Sequence, residues 1–381
     1  MQFIDLKAQQ ERIRPQLDAA IKKVLDHGQY IMGPEVFELE ERLADYVGVQ
    51  HCVSCASGTD ALLMALMAYG VGPGDAVFTT PFTFVATGEV ISLLGATPVF
   101  VDIDPSTFNI DPQKLEEAIV DFEHRAPDTE GPLVSKGIIP VDLFGLPADY
   151  DAINIIAQQH GLFVLEDSAQ GFGGVYKGRK AGSLTDIATT SFFPAKPLGC
   201  YGDGGAIFTD NDEMANILCS LRVHGKGEDK YDNVRIGVNG RFDTIQAAVL
   251  LEKLNIFPRE IESRQRVAKT YTQLLGGIAK IAAPAIPAKC KSAWAQYSIL
   301  AEDRQTLQNK LKQHGIPTAV YYPQPLHMQT AYAGLKYSKG DLPVAEKISE
   351  HILSLPMHPY LCVEDQKKIV DKIELIQKDL F

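Results

Sequence analysis

The sequence is short of basic residues relative to acidic ones. Its 381 residues include 36 Lys and Arg against 48 Asp and Glu, which gives a formal net charge of -12 at pH 7. A chain of this charge repels a polyphosphate backbone at long range, so we expect no nucleic-acid partner. A small anion can still bind, because a few local cationic side chains or a helix N-terminus are enough to hold a phosphate.

Cysteine and long apolar runs are also scarce. The six cysteines are scattered, and only Cys52 and Cys55 lie close together, without a second CxxC or a nearby His pair. We therefore predict no metal site. The longest apolar runs, such as IAAPAI at 281–286, fall far short of the ~20 residues that cross a bilayer. Since the first residues, MQFIDLKAQQERIRP, lack the apolar core of a signal peptide, we expect a cytoplasmic protein without a membrane segment.

The phosphate-binding fingerprints GxGxxG and the P-loop are missing as well, which argues against a dinucleotide-dependent oxidoreductase acting on nucleotide sugars. What is present is an ordinary globular composition, 45% hydrophobic and 22% charged, with 31 Gly and 22 Pro. This balance excludes a disordered, collagen-like or coiled-coil chain.

Short apolar and β-branched runs alternate with helical patterns through the first half of the chain. Such alternation is typical of a three-layer α/β/α fold with a mostly parallel sheet. The charged stretch at 120–137, which contains Pro and Gly, is predicted to be a surface loop. The predicted strands are AVFTT at 76–80, PVFVDID at 98–104, IIPVDLFG at 138–145, LFVLED at 162–167, ATTSFF at 188–193 and GGAIFTD at 204–210.

The pattern changes in the last third of the chain. Predicted strands at 294–300 and 318–322 are separated by one helix and followed by two further helices, as in a small α+β domain. We therefore predict a large α/β domain over residues 1–255 and a smaller C-terminal α+β domain over residues 256–381.

Three features at predicted strand ends carry candidate chemistry. Asp167 follows an apolar strand, although a lone Asp there is usually a helix cap. Lys196 lies between prolines and apolar residues, where its amine can be desolvated and its pKa lowered, although most lysines are surface charges. The turn Ser57-Gly58-Thr59 opens a helix, a common start that also lets backbone N–H groups approach a phosphate.

Taken together, the three features match the needs of pyridoxal 5'-phosphate. The turn would anchor its single phosphate, and Lys196 would hold its aldehyde as an imine. Asp167 would keep the pyridine nitrogen protonated, so that the ring can act as an electron sink. This combination is far more specific than any one of the features alone.

The chain resembles the DegT/DnrJ/EryC1/StrS sugar aminotransferases, a branch of the fold-type I pyridoxal phosphate enzymes. The likeness runs from IDLKAQQ near the start to SLPMHPYL near the end. The matching phrases, in the family's order, are GQYIMGPEVFELEERLADYVG, SCASGTDAL, TPFTFVAT, LEDSAQGFG, SFFPAKPLGCYGDGGAI, RVHG, NGRFDTIQAA and YYPQPLH.

The resemblance implies a set of cofactor contacts around catalytic Lys196 and Asp167. It places Gln170 near the phenolic oxygen of the ring and Phe84 on the ring face. Asn239 is expected to reach the phosphate from a neighbouring subunit, which implies a homodimer with shared active sites. The implied cofactor contacts are Ser57, Gly58, Thr59, Phe84, Asp167, Gln170, Ser191, Lys196 and Asn239.

The resemblance also implies the partners, which are L-glutamate as the amino donor and a nucleotide-linked ketosugar as the acceptor. His327 beside Pro and Leu can equally be a packed core residue, and Arg241 can equally lock a subunit interface. The residues implied near the substrate are Tyr322, His327, Lys230 and Arg241.

Several phrases look closest to the branch that aminates C3 of UDP-2-acetamido-2-deoxy-ribo-hex-3-uluronic acid, a precursor of bacterial surface polysaccharide such as O-antigen lipopolysaccharide. The longer stretch at 120–137 and Tyr321 depart from that branch, so another 3-keto or 4-keto nucleotide sugar stays open. An amino-acid aminotransferase is the further alternative, with Arg222 or Arg241 as candidates to bind a carboxylate. Lys196 and Asp167 argue against a noncatalytic member.

Overall fold

A computed structural model describes residues 1–124, 133–229 and 231–380. Residues 125–132 of the predicted surface loop lie outside the described residues, as does Lys230. The helix before that loop ends at Glu123 and the strand after it begins at Val134. Among the described residues, no helix is both long and apolar enough to cross a membrane.

The order of elements along the chain is regular in its first half and mixed in its second half. The helices are α1 Leu6–Arg12, α2 Arg14–His27, α3 Pro34–Val47, α4 Gly58–Ala68, α5 Ala86–Leu93, α6 Pro112–Glu123, α7 Tyr150–His160, α8 Asp212–Leu221, α9 Thr244–Leu275, α10 Arg304–Gln313, α11 Pro343–His351 and α12 Val363–Leu380. The strands are β1 His51–Cys55, β2 Asp75–Thr79, β3 Thr97–Phe100, β4 Val134–Ile139, β5 Phe163–Asp167, β6 Val175–Tyr176, β7 Arg179–Lys180, β8 Ile187–Ser191, β9 Gly205–Thr209, β10 Ile281–Ala282, β11 Cys290–Lys291, β12 Tyr297–Ala301 and β13 Ile352–Leu355.

The described residues form a seven-stranded sheet in the order β1-β9-β8-β5-β4-β2-β3. The strands from β8 to β3 pair in parallel, whereas β9 runs antiparallel to both β1 and β8. The chain passes from β1 at one edge to β2 and β3 at the other and then returns through β4, β5 and β8. Because β9 is antiparallel to both of its neighbours, β1 runs in the same direction as β8. Therefore β1 and the parallel strands all have their carboxyl ends at the same side of the sheet.

Helices cover both faces of this sheet because successive strand residues point to opposite sides. Val77 and Leu165 pack with α4, α5 and α8 on one face. Phe78 and Val164 pack with α6 and α7 on the other face, where α3 and the first half of α9 also bury their apolar sides. The predicted three-layer α/β/α fold with a mostly parallel sheet is therefore confirmed.

A smaller unit follows, in which β10, β12 and β13 form an antiparallel sheet. Its core is built by the second half of α9 with α10 and α12, and Tyr271 and Tyr297 are fully buried there. The helix α9 is continuous across residues 255 and 256 and contains Pro258. The division into domains 1–255 and 256–381 stays a prediction.

The strand predicted at 318–322 is wrong. Only Ala319 bridges to Ser354, and the following tyrosines leave the sheet and pack against Phe82 and Phe144 instead. Prolines precede and follow the segment at 317 and 323, and proline cannot donate to a strand ladder. The third strand of the small sheet is β13, which pairs antiparallel with β12.

Candidate active site

The candidate site lies where β1, β5 and β8 end. Ser57 follows β1, Asp167 is the last residue of β5, and Ser191 is the last residue of β8. The segment that continues from β8 carries Lys196. The strand order therefore brings together residues that are up to 139 positions apart in sequence, at the side where α/β sheets bind their ligands.

The N-terminus of α4 forms one wall of the site. Ser57 caps the helix, and its Oγ accepts a hydrogen bond from the amide of Asp60 at 3.0 Å. A Cβ added to Gly58 would lie 2.6 Å from Cβ of Ser191, so the helix start and the end of β8 are in close contact. The first amides of a helix have no intrahelical acceptor, and at this helix start, next to the Ser191 and Thr59 hydroxyls, they suit a phosphate group.

Asp167 forms the floor of the site and is 4% exposed. Its Oδ2 accepts a hydrogen bond from Oγ1 of Thr87 at 2.8 Å, and its Oδ1 accepts one from the amide of Ala169 at 3.1 Å. Burial raises the pKa of Asp167, whereas these two hydrogen bonds and the charge of Lys196 oppose that rise. The carboxylate is thus held in a fixed orientation in a place where water cannot solvate it.

Lys196 is half-buried in the segment after β8. Its amide donates to the carbonyl of Phe193 at 2.9 Å, which closes a tight turn around the intervening proline. Burial lowers the pKa of the Lys196 amine, and the nearby Asp167 carboxylate opposes this effect. A lower pKa increases the neutral fraction of the amine, which is the form that attacks an aldehyde.

Gln170 connects the site to the C-terminal part of the chain. Its Oε1 accepts from the amide of Phe144 at 2.9 Å, and its Nε2 donates to the hydroxyl of Tyr322 at 3.2 Å. Burial raises the pKa of Tyr322, and the nearby charge of Asp167 raises it further. Tyr322 therefore remains a neutral phenol beside the floor of the site.

Other predicted residues lie at exposed places around the site. Phe84 follows β2 and is 54% exposed, so its ring is free to stack on a ligand. Asn239 is exposed and bridges to Val223, and Arg241 is half-buried two residues further on.

His327 does not join this group. Its side chain is completely buried, and its Nε2 lies 3.2 Å from Oε1 of Glu346. Its ring packs edge-on against Tyr337. The structure thus favours the packed alternative for His327 over the substrate contact.

Sequence reasoning missed one residue that shapes the site, Thr87, and left the role of Arg222 open. Thr87 holds Asp167, and its helical spacing from Thr83, whose hydroxyl is 3.2 Å away, was the available signal. Arg222 is buried and forms an ion pair with Glu40 and a hydrogen bond to the carbonyl of Ser54 at 2.9 Å. Because Arg222 is already paired inside the protein, it is not free to bind a substrate carboxylate.

Comparisons with known proteins point to one family. The DegT/DnrJ/EryC1/StrS aminotransferase family model matches residues 11–374. A protein from Pseudomonas aeruginosa, UDP-2-acetamido-2-deoxy-3-oxo-D-glucuronate aminotransferase, is 53% identical over 95% of this chain and 96% of its own.

Solved structures agree with this result. A DegT DnrJ EryC1 StrS aminotransferase from Brucella abortus has a TM-score of 0.93 and 54% identity, covering 98% of both chains. A protein from Bacillus subtilis, solved with bound cofactor PMP, has a TM-score of 0.87 and 32% identity over 96% of this chain and 82% of its own. PMP is the amino form of pyridoxal phosphate.

The residues present fit this cofactor. The amides and hydroxyls at the start of α4 suit its phosphate, and the carboxylate of Asp167 suits a protonated ring nitrogen. The amine of Lys196 suits its aldehyde. Gly58 leaves room between the helix start and Ser191 that any side chain would fill.

We expect Gly58→Ala to weaken the binding of pyridoxal phosphate about tenfold or more, because an extra carbon in a packed contact costs about 1–3 kcal/mol. The measurement is a titration of the visible absorption of bound cofactor. Gly72→Ala is the matched control, since the nearest atom to its added Cβ would be 4.0 Å away. Equal affinities in the two variants would contradict the role of this contact.

Proposed function

We propose a donor and an acceptor for this chain, which belongs to the DegT/DnrJ/EryC1/StrS aminotransferase family and is a pyridoxal phosphate-dependent aminotransferase. The amino group passes from L-glutamate to C3 of UDP-2-acetamido-2-deoxy-ribo-hex-3-uluronic acid, a precursor of surface polysaccharide. The observation that supports this acceptor is the 53% identity to the Pseudomonas aeruginosa enzyme across nearly the full length of both chains. The six cysteines form no disulfide, which fits a reducing compartment such as the cytoplasm.

The cofactor, when bound, supplies an aldehyde and an electron-withdrawing ring. Lys196 holds the aldehyde, and Asp167 holds the proton on the ring nitrogen by providing an opposite charge in a buried place. Ser57, Thr59 and Ser191 bind the phosphate. The cofactor would thus be held by its ring and by its phosphate. Holding it in one orientation would remove much of the entropic cost of the reaction.

Lys196 would have a second role when its amine is not bonded to the cofactor. The neutral Nζ would accept a proton from the substrate carbon and, as the ammonium form, donate it back as a general acid. The lowered pKa of Lys196 favours this role, because a general base must be unprotonated at the working pH. Tyr322 and Gln170 form the adjoining wall, where the acceptor sugar is expected to lie.

An amino-acid aminotransferase is less well supported by the contacts. That activity normally uses an arginine to bind the α-carboxylate of both substrates. Arg222 is occupied by Glu40 and Ser54, which leaves Arg241 as the candidate of the two. Because the proposed donor and acceptor also carry carboxylates, Arg241 is a candidate to bind them under either function.

The first experiment follows the visible absorption of the purified protein with pyridoxal phosphate. We expect a band from the lysine-bound cofactor that disappears when L-glutamate is added, and Lys196→Ala should show neither the band nor turnover. Lys180→Met is the matched control, because Lys180 is another half-buried lysine with a lowered pKa, held by Tyr46. A band that persists with glutamate would overturn the donor, and normal turnover in Lys196→Ala would overturn the catalytic assignment.

Acceptor identity needs a separate assay with UDP- and dTDP-linked ketosugars. We expect amination of the UDP-linked 3-keto uronic acid at the highest kcat/KM. A preference for a 4-keto sugar or for a 2-oxo acid would replace the proposed acceptor while leaving the cofactor chemistry intact.

A second variant tests the charge on the ring nitrogen. We expect Asp167→Asn to fold but to lower kcat about 100-fold or more. A fixed charge in a buried site stabilises the charge that develops in the transition state by about this factor. Asp149→Asn is the control, since Asp149 is exposed and its carboxylate accepts from the Ala152 amide and the Tyr176 hydroxyl, with no contact to Asp167 or its partners. Near-normal kinetics in Asp167→Asn would remove this residue from the mechanism.

We also propose that the enzyme is a homodimer in which Asn239 completes the partner's phosphate site. Apolar side chains are strongly exposed near Asn239, including Val234 at 54% and Ile236 at 87%. Further exposed side chains lie beside the site, among them Phe193 at 51%. Exposed apolar surface of this kind is typical of an interface between subunits.

The dimer is tested by complementation between two defective chains. Lys196→Ala and Asn239→Ala, co-expressed with different tags, give a heterodimer with one intact site. We expect about half of the wild-type activity per dimer at limiting cofactor, since each site takes these two residues from different subunits. A heterodimer as inactive as the Lys196→Ala homodimer, or a monomer in sedimentation with cofactor bound, would disprove the shared site.

A further inference from the structure

The segment that carries Lys196, residues 192–203, is held from one side by helix α9. Two polar side chains of α9, Gln246 and Lys253, contact it. They are seven positions apart, which places them on the same face of the helix about two turns from each other. Each of them binds one peptide group of the segment.

Lys253 is a buried lysine, only 1% exposed. Its Nζ donates to the carbonyl oxygen of Gly199 at 2.6 Å and lies 4.2 Å from the ring centroid of Tyr201. Burial lowers the pKa of Lys253 to about 8, while the charge of Glu260 favours the ammonium form. A buried cation is unfavourable unless its hydrogen bonds are satisfied, so this contact to the Gly199 carbonyl is a defined feature of the fold.

Gln246 binds the next part of the segment. Its Oε1 accepts a hydrogen bond from the amide of Tyr201 at 2.8 Å. A Cβ added to Gly202 would approach its Nε2 to 3.0 Å, so helix and segment lie close together here.

Hydrogen bonds and close contacts within the segment connect these two attachment points to the backbone of Lys196. The amide of Cys200 donates to the carbonyl of Phe192 at 2.8 Å, and a Cβ added to Gly199 would lie 2.6 Å from the carbonyl oxygen of Phe193. The same Phe193 carbonyl accepts from the amide of Lys196. The Gly199 carbonyl and the Lys196 backbone are therefore parts of one compact turn.

We propose that Lys253 and Gln246 are positioning residues that fix the backbone of Lys196 and so aim its amine at the cofactor aldehyde. Neither residue touches the reacting atoms. The inference rests on the role given to Lys196 in the proposed function, but the attachment itself can be measured without the cofactor.

The test compares the cofactor-free wild-type protein with Lys253→Met and with Arg264→Met by amide hydrogen exchange. Methionine keeps the length of the side chain and removes the charge. Arg264 is the matched control, because it is also a buried cation of α9, 4% exposed, and donates to a backbone carbonyl, that of Trp294, at 2.8 Å.

We expect exchange in peptides covering 192–203 to rise about tenfold or more in Lys253→Met, because a hydrogen bond from a charged donor is lost. Arg264→Met should leave these peptides unchanged. In the loaded enzyme, Lys253→Met should lower kcat about tenfold with little change in the KM for glutamate, and should shift the pH at which the visible band changes. A purely structural role would raise the exchange of this segment but would leave the band and the KM-against-kcat pattern unchanged, and that result would overturn the positioning role.

Unchanged exchange at 192–203 in Lys253→Met, or an equal rise in Arg264→Met, would overturn the proposal. If Lys253→Met does not fold, Gln246→Leu replaces it, with the same expected rise confined to the same peptides. Failure of the proposed function appears separately, as a wild-type protein that lacks a glutamate-sensitive band.

Discussion

The electrostatic relation between Asp167 and Lys196 is the constraint on which the site depends. Burial raises the pKa of the carboxyl and lowers the pKa of the amine, and each charge partly offsets the cost of burying the other. Both groups must be held in place, because a misplaced buried charge is strongly unfavourable. Thr87 and the Ala169 amide hold the carboxylate, and the compact turn after β8 holds the lysine backbone.

A phosphate site also requires that backbone amides can approach the ligand closely, and the packing around the start of α4 allows this. The start of α4 lies against the end of β8 with no room for a side chain at Gly58, and Gly205 is equally close to the Ser57 carbonyl, where an added Cβ would be 2.4 Å away. Helix amides and strand-end hydroxyls thereby converge on one small volume. Such local donors suit an anion even in an acidic protein, because they outweigh charges that are distant and screened.

Helix α9 combines several roles along its 32 residues. Its first half packs against the sheet, where Phe257 is fully buried, and its second half builds the core of the C-terminal unit. On the way it presents Gln246 and Lys253 to the segment that carries Lys196. A single continuous helix thus packs against the large sheet, contacts the segment that carries Lys196 and contributes to the core of the C-terminal unit.

The sequence by itself determined the three-layer fold and the family, and it predicted Asp167 and Lys196 as site residues, because alternating periodicity and local motifs depend on neighbours along the chain. Only the tertiary structure decided that His327 is buried against Glu346, that Arg222 is paired with Glu40, and that 318–322 leaves the sheet. It also revealed the contact between Lys253 and Gly199, 54 positions apart. These outcomes depend on partners distant in sequence, and side-chain burial and pairing are set by packing that local patterns do not encode.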